Sequence, residues 1–474
     1  MSRAAAVIFS IVFSIYRFII SEDGFYTAIG LGFSLYFASR LIDLIGKELP
    51  LKELLLTIAA LQWIVGPKIS YVLGKTHYKY YMYVDEYTYM SYVVPGFIAL
   101  TAGLYAFETR MKLSTITQAF KHNWEYHKKI SFNTLYVGLL SALVFKLFNL
   151  SSIGFFLYLG YIVLFVAVAH LLFVYPHRRI VIFSITIIYL FVESISIGLF
   201  HNFLLFSTFL MFFVFRLKDR FVSKLGLIVI AFLLMQTIQL VKSDLRKVTW
   251  YSEASNPLEV FYSLVKDQYF SPLDDYYAAQ NQNVEEDEEA SLSIRLNQGW
   301  IISKILENVP KNQPYLKGES ISSGISAALL PRFLFPEKKG GEDALITFQK
   351  VTGIKLVKGT SMGLSIIGEF YANYGVIGGW IAMLLYGLFL SFSVKFIYVT
   401  IGNLGYGTIT FWFILFFFQV VKAEANFIAD FNHLIKSVIF YFVLKYGLGL
   451  WGINITSNLK KSYDREVQLS KGPV

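Results

Sequence analysis

The chain contains no cysteine. Disulfides, thiolate nucleophiles and cysteine-built metal sites are therefore excluded. Charge is scarce as well: Asp, Glu, Lys and Arg make up 16% of the 474 residues, where a water-soluble domain carries about 25%. The histidines, at positions 77, 122, 127, 170, 177, 201 and 433, include no H-x-x-x-H pair on one helix. Histidine ligation of a metal is not expected. No G-x-S-x-G or S-x-x-K nucleophile motif falls in a plausible place, and Walker and dinucleotide fingerprints are missing. No cofactor is expected.

Apolar residues are what the chain has in excess. They make up 55%, and aromatics reach 18% through 45 Phe and 32 Tyr; mean hydropathy is +0.54. The expected fold class is an all-α polytopic membrane protein. A span needs roughly 20 mostly apolar residues. About twelve stretches qualify, near 4–20, 24–45, 53–73, 92–107, 132–149, 153–174, 180–196, 199–215, 221–240, 372–394, 405–421 and 433–451. The first reads as an anchor, because no A-x-A-like site precedes Ser21 and Arg17 interrupts the run.

The net charge of +10 sits in short loops between apolar runs, which points to anchoring of helices and away from nucleic acid. With the N-terminus cytoplasmic, alternate loops carry Lys47 and Lys52, then Arg110 to Lys129, then Arg178 and Arg179, then Arg216 to Lys224, then Lys395. The opposite short loops hold little beyond Lys75, Lys79 and Lys422. Four parts follow: nine spans over 1–240, an extracytoplasmic helical loop over 241–371, three spans over 372–451, and a basic cytoplasmic tail over 452–474.

Tyr78 to Tyr92, with Asp85 and Glu86 among its rings, reads either as an interfacial aromatic belt or as a sugar-stacking platform. Glu193, His201 and Asn202 flank a tight external turn. They are either functional or simply facing water. Inside the large loop the acidic run Glu285 to Glu289 lacks the spacing of a calcium loop and suits a helix start. A helix over Ala290 to Val309 should present Leu296, Trp300, Ile301 and Ile305 on one face with Arg295 off it, and Pro310 and Pro314 should end it. A second helix is expected over Ser320 to Leu330. It leads into a proline-braced segment, Pro331 to Gly341, bearing Arg332, Lys338 and Lys339.

At the loop's exit, Gly363 to Gly375 brings a glutamate, an asparagine and several glycines to the point where soluble chain becomes membrane helix. Helical spacing puts Glu369, Asn373 and Val376 on one face. His433, in Asp430-Phe-Asn-His433, is either a catalytic base or a satisfied polar residue at a helix start. Cations outside the membrane, together with carboxylates at its boundary, suit chemistry on a lipid-linked pyrophosphate. The leaving group is a stable anion, so the site needs cations, with a base for the attacking hydroxyl. Arg pairs bidentately with phosphate oxygens.

The order Arg295-Leu-Asn-Gln-Gly-Trp300, Pro331-Arg-Phe-Leu-Phe-Pro336 and Gly368-Glu-Phe-Tyr-Ala-Asn-Tyr-Gly375 resembles the O-antigen and exopolysaccharide repeat-unit polymerases (Wzy type), members of the GT-C glycosyltransferases. Over the first nine spans the resemblance rests on topology. It implies an inverting, metal-independent transferase in the bacterial cytoplasmic membrane with its site facing the periplasm. Growing glycan on undecaprenyl pyrophosphate would be moved onto another lipid-linked repeat unit. The family's loop arginines would match Arg295 and Arg332, with Lys338 and Lys339 beside them on the pyrophosphate. Glu369 and His433 would be the catalytic candidates, and Asn373 and Tyr371 would face the glycan. Membrane lipids, a chain-length regulator and a flippase would be its partners. An O-antigen ligase using the same donor, or a secondary transporter for lipid-linked sugars, is the alternative.

Overall fold

The computed structural model describes residues 3–21, 23–74, 80–148, 154–216, 221–251, 256–270, 296–329, 341–356, 362–401 and 409–455. Among them all regular structure is helical, apart from one isolated bridge between Glu48 and Lys112. In chain order come α1 (Arg3–Ile19), α2 (Phe25–Leu44), α3 (Leu51–Ala60), a π turn (Leu61–Val65), α4 (Gly66–Leu73), α5 (Glu86–Tyr105), α6 (Leu113–His122), α7 (Trp124–Leu147) and α8 (Gly154–Val174). A 3-10 turn (Pro176–Arg178) opens α9 (Arg179–Ile197), followed by α10 (His201–Val214) and α11 (Phe221–Tyr251). The large loop contributes α12 (Pro257–Phe270), α13 (Gly299–Asn308), α14 (Glu319–Leu329) and α15 (Gly341–Thr352). Last come α16 (Ile366–Phe396), α17 (Ile409–Phe417) and α18 (Phe427–Leu450).

Each stretch expected to span overlaps a described helix, although the one near 405–421 does so only over the nine residues Ile409–Phe417. Among the described residues seven helical stretches are long and apolar enough to cross a membrane: Phe25–Leu44, Leu51–Leu73, Trp124–Leu147, Gly154–Val174, Pro176–Ile197, Ile366–Thr400 and Phe427–Leu450. Two shorter apolar helices, His201–Val214 and Val229–Lys242, accompany them. Large aliphatic side chains stand exposed along their outer faces, as on α9 with Ile180, Ile185 and Ile188 all above 60%. Such surfaces are a liability in water and the normal state against lipid.

Small residues decide how the helices approach. Gly103 on α5 and Gly387 on α16 lie where the two backbones touch: a Cβ at Gly103 would come 2.4 Å from the Leu384 oxygen, and one at Gly387 would come 2.5 Å from the Leu100 oxygen. The same pair of helices is tied by Tyr92, whose hydroxyl donates to the Ile367 oxygen at 2.8 Å, and by Trp380, whose indole donates to the Tyr92 oxygen at 2.9 Å. Pro95, inside α5, withholds the amide that would serve the Ser91 carbonyl. Between α7 and α8 the same device recurs. A Cβ at Gly138 would meet the Leu164 backbone at 2.6 Å, and one at Gly160 the Ser141 side chain at 2.6 Å. Close backbone approach of this kind replaces the hydrophobic drive that lipid does not supply.

Gly387→Val is therefore expected to force α5 and α16 apart at a cost of about 1–3 kcal/mol, lowering the thermal midpoint of purified protein by several degrees. Gly447, where a Cβ meets nothing within 4 Å, supplies the control Gly447→Ala. Equal midpoints for the two variants would remove the backbone contact as the reason for glycine.

Candidate active site

The site is built on a helix that is not continuous. Within α16, Gly375 has φ 71° and ψ −162°, a conformation open essentially to glycine alone. It divides the element into a nine-residue half, Ile366–Tyr374, and the long remainder. The break removes the amide donors that would have served the last carbonyls of the first half. The strand of loop before α14 supplies them: Leu316 N donates to Ala372 O at 2.9 Å, and Lys317 N donates to Asn373 O at 3.1 Å. Gly318 N follows, donating to the Asn373 side-chain oxygen at 3.0 Å. Tyr371 is buried, donates to the Val309 oxygen at 3.1 Å, and packs edge-on against Tyr92 and Tyr315.

This strap carries Ser320 against Glu369. The Ser320 hydroxyl donates to Glu369 Oε1 at 2.7 Å and accepts from Asn373 Nδ2 at 2.8 Å. Glu369 Oε2 accepts the Phe427 amide, also at 2.7 Å. Phe427 is the first residue of α18, so the carboxylate sits on a helix N-terminus, where unpaired amides and the helix dipole favour a negative charge. The helix's own N-cap, Asn426, turns its side-chain oxygen to the Leu364 amide instead. The two segments thus cap each other. Glu369 is 2% exposed and Asn373 1%, and among the described residues no Lys or Arg pairs with Glu369.

One turn into α18, Asp430 is buried and accepts from the Tyr386 hydroxyl at 2.8 Å through Oδ2. Its Oδ1 has no hydrogen-bond partner among the described residues. His433 is buried next on that helix, but its Nε2 meets the Leu415 oxygen at 2.8 Å and its ring abuts Phe155. It belongs to the packing of α17 and α8 and does not enter the Glu369 chain. Lys422, in the turn before α18, donates to Gln419 Oε1 at 2.8 Å and lies over the Phe418 ring. Burial pulls its ammonium down to about 8, against the opposing pull of Glu424 and Asp430. An apolar groove of about 440 Å³ runs beside these groups, lined by Phe370, Tyr374, Tyr386, Phe427 and Phe431 among others.

Of the residues singled out from the sequence, Glu369 and Asn373 come together at Ser320, while Tyr371 is turned to Val309, Tyr92 and Tyr315 and His433 to Leu415 and Phe155. Arg295, Arg332, Lys338 and Lys339, with the acidic run Glu285 to Glu289, lie outside the described residues. Val376 leaves the face of Glu369 and Asn373, because Gly375 breaks the helix between them; it is 41% exposed. Ser320, the Phe427 amide and the Asp430–Tyr386 pair were not anticipated as members. A carboxylate has about four acceptor positions, and Glu369 uses two. It can still accept a hydroxyl and its proton.

Removing that carboxylate leaves the Ser320 hydroxyl and the Phe427 amide buried without an acceptor, at about 1–3 kcal/mol each. Glu369→Ala should therefore lower the thermal midpoint clearly. Glu369→Gln can point its oxygen to Phe427 and its amide to Ser320, and should cost less than about 1 kcal/mol. Equal losses for the two, read by thermal unfolding of purified protein, would contradict the capping geometry.

No curated protein and no solved structure matches the chain. Residues 70–453 match the family described as a domain of unknown function, DUF8712. That stretch holds Ser320, Glu369, Asn373, Tyr386 and Asp430, and the chain belongs to this family.

Proposed function

We propose that the chain is a glycosyltransferase that polymerises lipid-linked oligosaccharide repeat units, taking growing glycan from undecaprenyl pyrophosphate to the non-reducing-end sugar of another lipid-linked unit. The observation that carries the reading is the Glu369 carboxylate, buried beside a broken apolar helix with half of its acceptor capacity unused. In the proposed step the acceptor hydroxyl attacks the anomeric carbon of the donor. The bond from that carbon to the pyrophosphate oxygen breaks, and undecaprenyl pyrophosphate leaves as an anion. Glu369 takes the hydroxyl proton and returns it to solvent. Ser320 holds the position of a hydroxyl donor to Glu369 in this conformation, and the acceptor sugar displaces it.

The leaving group needs cations, assigned here to Arg295 and Arg332 with Lys338 and Lys339 beside them. The groove of about 440 Å³ along Phe370, Phe427 and Phe431 suits an isoprenoid chain, being apolar and adjacent to the carboxylate. The distribution of Lys and Arg among the loops favours twelve spans, with both termini cytoplasmic and residues 241–371 outside. That would put the Glu369 end on the outer side of the cytoplasmic membrane.

A second reading has an observation of its own. A discontinuous helix beside buried carboxylates is also how secondary transporters build their sites. The two readings differ in what a deletion strain accumulates. Loss of a polymerase leaves surface glycan one repeat long, with single lipid-linked repeats in the outer leaflet. Loss of a flippase strands those repeats in the inner leaflet, and loss of a ligase leaves long glycan on its lipid carrier. Either of the last two results sinks the polymerase reading.

With membranes of that strain supplying the substrate, Glu369→Gln is expected to slow polymerisation by about a hundred-fold or more at unchanged protein abundance. Polymerisation at the wild-type rate ends the base role. Cysteine at position 281, as Asn281→Cys in this cysteine-free chain, should react with an impermeant maleimide in intact cells. Labelling only after lysis would invert the topology.

A further inference from the structure

A second concave site lies at the far end of the bundle. Phe173, near the C-terminus of α8, packs on Phe411 of α17 with ring centroids 5.2 Å apart, and Tyr158, near the other end of α8, packs on Phe418 at 6.4 Å. The chain then runs from Phe418 to Phe427 beside Glu369. The C-terminal end of α8 is therefore remote from Glu369 by most of the length of a 21-residue helix, about 31 Å.

There, a pocket of about 540 Å³ opens between the connections α6–α7, α8–α9 and the end of α10. Its size is within the range of small-molecule sites, about 300–1,000 Å³. Lys121, His177, Arg178 and Arg216 line it together with Trp124 and Tyr175, and among the described residues no Asp or Glu does. Two of these groups are held in place. The Arg216 guanidinium stacks 4.1 Å over the Phe173 ring and donates to the Leu172 oxygen at 2.9 Å. The Trp124 indole donates to the Val174 oxygen at 2.9 Å. Lys121 and Arg178 are exposed at the rim. The carboxylate nearest in sequence, Glu125, is directed to Lys128 at 4.0 Å.

The start of α9 adds to the field. Its first turn has no acidic residue and is preceded by Pro176-His-Arg178, so cations crowd the positive end of the helix dipole. A general rule that keeps Lys and Arg on one side of the membrane accounts for basic loops. It does not require three separate connections to converge on one hollow with aromatic walls and, among the described residues, no carboxylate. An anion would relieve the repulsion of such a cluster, and basic pockets between membrane helices accept phosphate-bearing headgroups.

We propose that this pocket binds the phosphate headgroup of an anionic membrane lipid in the leaflet opposite the Glu369 end. The phosphate lies against Arg216 and His177, Lys121 and Arg178 close over it, and Trp124 and Tyr175 border the glycerol at the membrane interface. The assignment is independent of the function proposed for the Glu369 site.

The test uses purified full-length protein, with native mass spectrometry and thermal unfolding against added cardiolipin, phosphatidylglycerol, phosphatidylcholine or inorganic phosphate. Wild type should retain the two anionic lipids over phosphatidylcholine and gain several degrees of thermal stability with them. Lys121→Gln with Arg178→Gln changes exposed rim residues, so the fold is kept and the lipid-free midpoint stays at the wild-type value. This double variant should bind the anionic lipids roughly thirty-fold more weakly, as expected for two lost interfacial cations. Lys112→Gln, exposed and lining no part of the pocket, should bind as wild type. Equal retention by wild type and the double variant, or equal retention of phosphatidylcholine, overturns the site. Stabilisation by inorganic phosphate alone, lost in the double variant, makes it a soluble-anion site and overturns the lipid.

Discussion

A helix cannot be interrupted in apolar surroundings without new donors for the carbonyls it leaves behind. The interruption of α16 at Gly375 imposes that constraint, and much of the site's architecture answers it. The amides of Leu316 and Lys317 must approach Ala372 and Asn373, which pulls the loop segment before α14 down onto the membrane helices. Once it is there, Ser320 is within reach of Glu369 and Asn373. α14 then packs so closely on α18 that a Cβ at Gly324 would come 2.4 Å from the Ile428 side chain. One glycine with a positive φ is thus the origin of contacts among three segments distant in sequence.

The Glu369 carboxylate is the second half of that answer. Burying a charge without a partner costs several kcal/mol, and no cation is paired with this one among the described residues. Two directed donors and the end of α18 do the work instead. Helix dipoles and fixed amides are stiff, so the charge is held where it stands. A lysine or arginine partner would be more mobile and would compete with an incoming substrate cation or hydroxyl. The arrangement keeps lone pairs of Glu369 unspent, a condition for any chemistry there.

How much of this could be read beforehand differs from element to element. Apolar runs marked α2, α8, α9 and α10 nearly to their ends, since composition and length suffice for a helix that faces lipid, whereas α18 begins at Phe427, ahead of the expected 433. Trp300, Ile301 and Ile305 are buried on α13 as their spacing implied, and α14 begins within one residue of its expected start. The glycines near residue 375 announced close packing, but not a break: positive φ is a property of tertiary context, and Gly378 and Gly379 next to it are ordinary helix. Ser320 could not be joined to Glu369, 49 residues away, because nothing in hydropathy records the pairing of a loop with a helix end. His433 drew attention in the motif that also holds Asp430. Three residues along one helix, they point to different neighbours, Leu415 and Tyr386, and only the partners distinguish them.

The geometry also bears on whether this end of the molecule works as a fixed site or as a moving part. In a transporter, one half of a broken helix shifts against the other as access alternates. The short half of α16 is held on several sides: by the strap at Leu316 and Lys317, by the Tyr92 hydroxyl at Ile367, by the Tyr371 hydroxyl at Val309, and by α13, where a Cβ at Gly368 would come 2.9 Å from Ile305. Moving it would break all of these together. By contrast, Ser320 reaches Glu369 through a single hydroxyl on a helix that belongs to the loop. α14 itself is packed on α18 at Gly324, so the part able to give way is the Ser320 side chain, whose rotation uncovers a carboxylate already positioned by α18. A carboxylate held by fixed donors agrees better with a preorganised site than with the moving half-helix of a transporter, which is why the proposed transferase reading is preferred over transport.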